Sequence, residues 1–306
     1  MQPLLQFTRR VIGPAVFFAL AALLTAAEPE RLTFCCYNLK NWLSMEQFGR
    51  PFTKPEGERA RVVEILAAIH PDILGICEIG TAEDLADLQQ RLLQAGVELP
   101  YTELAHGGDD TRRLALLSRL PIKTRNSQTA LKYEIGAQIL PFQRGILDVT
   151  LAITPTFDLH LLGVHLKSMR PTTEADQAVM RRNEARLLRL HIDSIFAQEP
   201  GACILAYGDF NEHRNEPAVA EVMGGGSRSS ETGMRDILLR DENGEVWTHF
   251  WDLADTYSRL DYCFTSRLLR PHIDTKHCYI YSARDVNKAS DHRPLVLKIS
   301  PEPLMK

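Results

Sequence analysis

Five short apolar runs, scattered along the chain, each lie against a side chain that can do chemistry. The motifs are Tyr37-Asn38, Cys77-Glu78, Gly163-Val164-His165, Tyr207-Gly208-Asp209-Phe210-Asn211 and Ser290-Asp291-His292-Arg293-Pro294. A short apolar run bounded by turn residues is the pattern of a buried strand. A strand end is a rigid base, and the loop beyond it opens to solvent, so it offers a catalytic group both fixed position and access. Whatever fold the chain adopts has to bring these strand ends to one rim.

The stretches between alternate helix-like and strand-like. Arg31–Tyr37 reads as a strand. Glu56–Ile69 reads as a helix with Val62, Val63, Leu66 and Ile69 on one face, stopped by Pro71. Ile73–Cys77 is a second strand, and Ala82–Gln94 a helix ended by Gly96. Leu114–Ser118, Gly145–Ile153 and Leu159–His165 predict three further strands. Thr173–Gln198 predicts the longest helix, opened by a threonine cap with acids in its first turn. Cys203–Tyr207, Arg259–Thr265 and Arg293–Ile299 complete the strands. Gly224–Ser230 is a flexible loop, either a plain connector or a cover over a site. With both hairpin-like and helix-like connections, no repeat and no second domain boundary, the pattern predicts one mixed α/β domain with packed sheets, not a doubly wound parallel sheet.

The N-terminus behaves differently. Arg9 and Arg10 precede an apolar run from Val11 to Leu24, followed by Thr25-Ala26-Ala27 and then Glu28-Pro29-Glu30. This order is that of a secretory signal cleaved after Ala27, leaving residues 28–306 as the folded domain, secreted or periplasmic. The run is short for a span of about 20 residues, and the small-residue exit favours cleavage over a retained anchor, so no stable membrane insertion is expected. Removing those 27 residues takes away two arginines and no acid, leaving 33 basic against 39 acidic residues, a net charge near −6. A general nucleic-acid binder carries a basic surface, so a grip on DNA here would need a local patch. Of the six cysteines, Cys35, Cys36, Cys77, Cys203 and Cys263 sit inside strand-like runs and Cys278 outside them. An even count in an exported chain invites disulfides. The adjacent Cys35 and Cys36 would point to opposite faces of a strand, and buried thiols acting as small core residues is the preferred reading. No CxxC pair is present, which speaks against structural zinc.

Taken together, the strand-end residues resemble the endonuclease/exonuclease/phosphatase superfamily, in an exported, bacterial-type member. The resemblance runs from about Arg31 to Ile299, and Gly208-Asp209-Phe210-Asn211 and Ser290-Asp291-His292 are its most specific motifs, supported by Arg259-Leu260-Asp261-Tyr262. It implies the deoxyribonuclease I-like fold, a four-layered α/β sandwich of two packed mixed β-sheets flanked by helices. Phosphate-ester hydrolysis needs charge neutralised, water activated and the leaving oxygen helped. Glu78 is the best metal ligand, because a hard dication prefers one or two carboxylates plus waters and substrate oxygen. Mg²⁺ is the expected ion, with Mn²⁺ or Ca²⁺ as alternatives, acting as a Lewis acid. Asp209 takes the role of general base, and Asn211 orients the water or the phosphate. The resemblance implies that Asp261 fixes the ring of His292 and favours its protonated form, and that Asp291 lies beside the metal as a ligand, directly or through water. It also likens His165 to the family's phosphate-contacting histidine and Arg144 to its phosphate-binding arginine. Asn38 closes the substrate side. Lys167 follows His165 by strand alternation and either adds positive charge or is solvated.

Two departures set limits. Apurinic endonucleases carry an acid two positions after the first-strand asparagine, where this chain has Lys40, and a tyrosine shortly before the phosphate arginine, where it has Gln138 and Pro141. The DNA-repair subclass is therefore disfavoured. The expected function is a metal-dependent phosphoesterase, nuclease-like first, on a phosphate-ester substrate such as nucleic acid. The alternatives are a phospholipid- or sphingomyelin-type phosphodiesterase, which would need a lipid-docking surface, and a non-catalytic module that binds phosphate ligands. The intact set Glu78, Asp209, Asn211, Asp291 and His292 opposes the last. Trp247-Thr248-His249-Phe250-Trp251 either stacks on a base or sugar near the site or anchors the last strands. No protein partner is indicated, and a monomer is expected.

Overall fold

Alternation along the first strand sets the architecture. In Leu32–Trp42, Phe34 and Cys36 face one apolar cluster while Cys35, Tyr37 and Leu39 face another, so this strand is covered on both sides. A computed structural model describes residues 31–47, 49–224 and 230–304 of the chain. The secretory-signal reading of residues 1–27 lies outside the described residues, as do residues 225–229 of the glycine-rich loop.

The first six-stranded sheet runs, in spatial order, Tyr279–Ile280, Leu295–Ile299, Leu32–Trp42, Ile73–Ile79, Arg113–Ser118 and Tyr101–Ala105. The second runs Arg235–Asp236, Asp261–Thr265, Cys203–Asp209, Phe157–His165, Leu147–Thr154 and Ile122–Arg125. Each sheet has one parallel pair at its centre, Leu32–Trp42 with Ile73–Ile79 and Phe157–His165 with Cys203–Asp209, and its other pairs are antiparallel. The two parallel pairs place Glu78, His165 and Asp209 at strand ends and Asn38 at the last regular pairing before its strand bulges and runs on to Trp42, beyond the expected end at Tyr37.

The central core mixes residues of both sheets: Phe34, Cys36, Leu114 and Leu116 meet Val149, Leu161, Leu205 and Tyr207. On the outer face of the first sheet, helices Glu56–Ile69 and Ala82–Gln94 bury Val62, Leu66, Leu88 and Leu92. On the outer face of the second, helices Gln177–Gln198 and Pro217–Met223 bury Leu188, Ile192, Val219 and Val222. The result is the expected four layers, helix, sheet, sheet, helix. Tyr207 lies between the sheets. Its ring packs edge-on against Phe34 at 4.9 Å and fills the space over Gly75, where a Cβ would come within 2.1 Å of it.

Helices 56–69 and 82–94 start and stop where the sequence predicts, the second on a Thr81 capping box. The longest helix departs from expectation. It begins at Gln177, and Asp176, not Thr173, caps it by accepting from the N–H groups of Ala178 and Val179 at 2.9 and 3.0 Å. The acids expected in the first turn precede it instead. All six cysteines are free, and Cys35 and Cys36 lie on opposite faces as expected. Burial pushes the thiols of Cys35, Cys36, Cys77 and Cys263 well above the usual range, so they are inert core residues. Among the described residues no helix is long and apolar enough to cross a membrane.

Candidate active site

The strand ends do meet, and they meet around one oxygen. Asp209 Oδ2 accepts from Asn38 Nδ2 at 3.0 Å and lies 3.6 Å from both His165 Nε2 and His292 Nε2. Asn38, Asp209, His165, Asp261 and His292 are all buried. Asn38, Glu78, Asp291 and His292 come from the first sheet and its loops, whereas His165, Asp209, Asn211 and Asp261 come from the second. The site is therefore built across the interface between the sheets.

Local backbone makes this possible. Gly208 has φ 137°, and a Cβ there would lie 1.9 Å from the carbonyl oxygen of Val164, so only glycine lets Asp209 lie level with His165 on the neighbouring strand. Lys40, Asn41, Glu78 and Asn211 all adopt positive φ, between 48° and 64°, although none is glycine. Such left-handed residues concentrate where surrounding contacts hold them for function. Here those contacts are visible. Glu78 Oε2 accepts from the Asn41 N–H at 3.0 Å, Asn38 Oδ1 accepts from the Lys40 N–H at 3.0 Å, and Asp209 Oδ1 accepts from the Asn211 N–H at 2.8 Å. The Asn211 side chain donates to the Leu166 carbonyl at 3.0 Å.

His292 and Asp261 form the second unit. His292 Nδ1 bonds Asp261 Oδ2 at 2.8 Å, which makes Nδ1 the protonated nitrogen and aims Nε2 at Asp209. Burial works against a charged ring, but Asp261 and then Asp209 outweigh it and lift His292 far above the ordinary histidine range. Asp209 is pushed up to about 7, chiefly by burial, with His292 pulling the other way. His165 is held well below the usual range by burial, reinforced by the charges of Arg144, His292, Arg112 and Lys167, so it is a neutral imidazole. Arg259 pairs with Asp236 at 2.6 Å, leaving Asp261 to His292.

Of the other residues singled out in the sequence, Glu78 is partly open, with Oε1 3.5 Å from Asn38 Nδ2 and 3.9 Å from His165 Nε2. Asp291 is half-buried beside His292, its carbonyl accepting from the Phe250 N–H at 2.8 Å. Arg144 is buried, with Nη2 3.3 Å from Asp109 Oδ2. Lys167 does not follow the alternation expected of it, because the strand stops at His165. Its Nζ turns to its own loop, near the Ser168 and Arg170 carbonyls at 3.5 and 3.3 Å. The aromatic group mainly anchors the hairpin His249–Trp251 and Thr256–Ser258: Phe250 stacks on Tyr257 at 4.6 Å, and the Arg293 guanidinium lies 4.0 Å over Trp247.

Several supports are invisible in the sequence. Thr248 Oγ1 accepts from the N–H groups of both Leu260 and Asp261 at 3.0 Å, which fixes Asp261. Ser290 Oγ donates to the Asn38 carbonyl at 2.8 Å and accepts from the His292 N–H at 3.1 Å, tying the segments that carry Asn38 and His292 together. Glu184 lies fully buried on the long helix and accepts from the N–H groups of Gln143 and Lys167 at 3.2 and 2.6 Å. Its one sequence signal is an acid at the helical spacing of Met180 and Leu188, both core residues. Arg112 Nε stands 3.9 Å from Glu78 Oε2.

The donor set suits a hard dication. Glu78 offers Oε1 with only long contacts, in a partly open position that leaves room for the waters and substrate oxygen a dication would need. Asp209, Asp261 and His292 also bring ligand atoms within 4.8 Å of one another. In that trio His292 Nδ1 and Asp261 Oδ2 are spent on each other, so Glu78 is the better-placed ligand.

The sequence matches the Endonuclease/Exonuclease/phosphatase family over residues 42–292. No curated protein matches the chain. Among solved structures, truncated TDP2 from Caenorhabditis elegans is similar with a TM-score of 0.59 at 18% identity, covering 88% of this chain and 98% of that one. The human Nocturnin catalytic domain with bound sulfate gives 0.62 at 17%, covering 90% and 95%. Sphingomyelinase C from Streptomyces griseocarneus gives 0.58 at 16%, covering 89% and 100%. At such identities the likeness is one of fold. The family match itself runs from the end of the first strand to His292, across every layer that positions the buried cluster, and the chain belongs to the Endonuclease/Exonuclease/phosphatase family.

Proposed function

We propose that the chain is an exported, metal-dependent phosphoesterase that hydrolyses phosphodiester or phosphomonoester bonds, with nuclease-like chemistry as its leading form. The observation that carries this reading is the single oxygen Asp209 Oδ2, ringed by Asn38, His165 and His292. Asp209 Oδ1 is spent on the Asn211 N–H, so Oδ2 is left to take a proton from attacking water. A carboxylate pushed up to about 7 is matched to that task near neutral pH. His292, kept protonated by Asp261, offers Nε2–H to a phosphoryl oxygen as charge develops there. Neutral His165 and the Asn38 amide position the phosphate against Asp209, and Arg144 supplies positive charge. Glu78 and Asp291 would hold Mg²⁺, with Mn²⁺ or Ca²⁺ as alternatives, and the ion when bound would stabilise charge on the phosphoryl oxygen or leaving group.

The purified protein should hydrolyse bis-p-nitrophenyl phosphate with Mg²⁺ or Mn²⁺, and EDTA should stop it until metal is restored. Undiminished turnover in EDTA removes the metal from the reading. Export is tested by N-terminal sequencing of the protein recovered outside the cytoplasm, which should begin at Glu28. A second reading, a phospholipid- or sphingomyelin-type phosphodiesterase, is favoured by one feature. The hairpin that carries His249 against His292, rings 4.7 Å apart, also holds Trp251, Leu253 and Tyr257 exposed at 54%, 89% and 53%. Plasmid DNA, single-stranded DNA, RNA and sphingomyelin vesicles assayed side by side decide between the two.

A further inference from the structure

Several arginines here each make a close hydrogen bond to a carboxylate. Arg259 bonds Asp236 at 2.6 Å, Arg293 bonds Asp241 at 2.7 Å, and Arg181 bonds Glu212 at 3.0 Å. Arg112 and Arg144 are different. Arg112 Nη1 and Arg144 Nη2 stand 3.9 and 3.3 Å from the same oxygen, Asp109 Oδ2, longer than a charge-assisted hydrogen bond of about 2.8 Å. Arg144 is 8% exposed, yet its Nε has no hydrogen-bond partner. A buried guanidinium with unspent donors is costly unless something else takes them.

Asp109 is built as a spacer between the two. Its Oδ1 accepts from the N–H groups of Thr111 and Arg112 at 2.9 and 3.1 Å, so the carboxylate cannot turn. Its own N–H and that of Gly108 donate to the carbonyls of Gln143 and Phe142 at 2.7 and 3.1 Å. The two segments lie so close that a Cβ on Gly107 would come within 2.2 Å of the Phe142 oxygen. Asp109 alone cannot neutralise two guanidinium groups, and the other carboxylate in reach, Glu78, is the one assigned to the metal, so the pair keeps positive charge when that ion is held; two nitrogens sharing one oxygen at these distances also lie within the span of a single phosphate. Arg112 Nε also reaches to 3.9 Å from Glu78 Oε2, so this platform adjoins the reactive centre.

We propose that Arg112 and Arg144, spaced by Asp109, form a second anion subsite that takes a non-reacting phosphate of the substrate, so that preferred substrates carry two phosphate groups. The inference rests on the phosphoesterase reading of the adjoining centre and adds the substrate class to it. A bidentate guanidinium fork recognises phosphate oxygens in a way that lysine does not. Asp109 keeps the pair in place when the subsite is empty.

Two measurements separate the subsite from the reaction. In EDTA, calorimetry compares thymidine 3′,5′-bisphosphate with thymidine 5′-monophosphate, so no turnover is required. The wild type should bind the bisphosphate about tenfold or more tightly, and Arg112→Gln should remove that difference. With Mg²⁺, thymidine 5′-(p-nitrophenyl phosphate) is compared with the same ester carrying a 3′-phosphate. Arg112→Gln should lower kcat/KM for the second at least about tenfold more than for the first, and Arg112→Lys should fall between. Circular dichroism and Tm establish that both variants fold. Equal binding of the two nucleotides by the wild type, or an unchanged preference in Arg112→Gln, overturns the subsite. Preferential binding with no hydrolysis of either ester retains the subsite and removes the phosphoesterase reading instead.

Discussion

Asp209 shows how much one oxygen's surroundings decide. Burial raises its carboxyl to about 7, and its two oxygens are divided between the Asn211 N–H and the Asn38 amide. Asp209→Asn should lower kcat on bis-p-nitrophenyl phosphate by about a hundredfold to ten-thousandfold, with far-ultraviolet dichroism unchanged. The pH dependence of kcat/KM should carry the same signature. If the proposed roles hold, activity needs Asp209 ionised, so the acid limb should lie above the usual carboxylate range. It also needs His292 protonated, and Asp261 is what holds that proton. Asp261→Asn should therefore move the alkaline limb to lower pH and narrow the profile. A limb that stays in place would mean that another group titrates there.

At the scale of elements, the long helix holds the loops that carry Arg144 and Lys167 through Glu184, which accepts from the Gln143 and Lys167 N–H groups. Burial raises this carboxyl from its ordinary 4.5 to about 7. The folded state thus holds the proton more tightly than the unfolded one between those values, and stability falls as pH rises through that window. The full effect is on the order of 3 kcal/mol. Urea unfolding from pH 5 to 8 should show wild type losing ground to Glu184→Gln as pH rises, with no further change above it. Legibility followed the same physics. Helices 56–69 and 82–94 were readable because their apolar spacing is regular and Pro71, Thr81 and Gly96 punctuate them. The start of the third was not, since Thr173 and Asp176 both can cap and only tertiary packing chose between them. The hairpins at 44–53 and 132–141 are short and their strands carry charged or polar residues, so no alternation announces them. In the site, Asn38, Glu78, His165, Asp209 and His292 were legible because each lies at the end of an apolar run. Thr248, Glu184 and the Asp109 spacer were not, because their roles arise only where separate loops meet.

For the whole molecule, one contact between the two sheets can be tested directly, the Tyr207 ring packed over Gly75, where there is no room for a Cβ. Gly75→Ala should cost about 1–3 kcal/mol by forcing that ring aside, read as a lower Tm. Tyr207→Phe should be close to neutral, since the phenolic oxygen is buried with no partner. The bonds Asn38 to Asp209 and Asp261 to His292 each join one sheet to the other. Catalysis in such a molecule is a strain gauge. A slide of one layer over the other by a fraction of a hydrogen-bond length would uncouple base from acid while both layers stayed folded. Turnover should fade during mild heating before far-ultraviolet dichroism registers any loss.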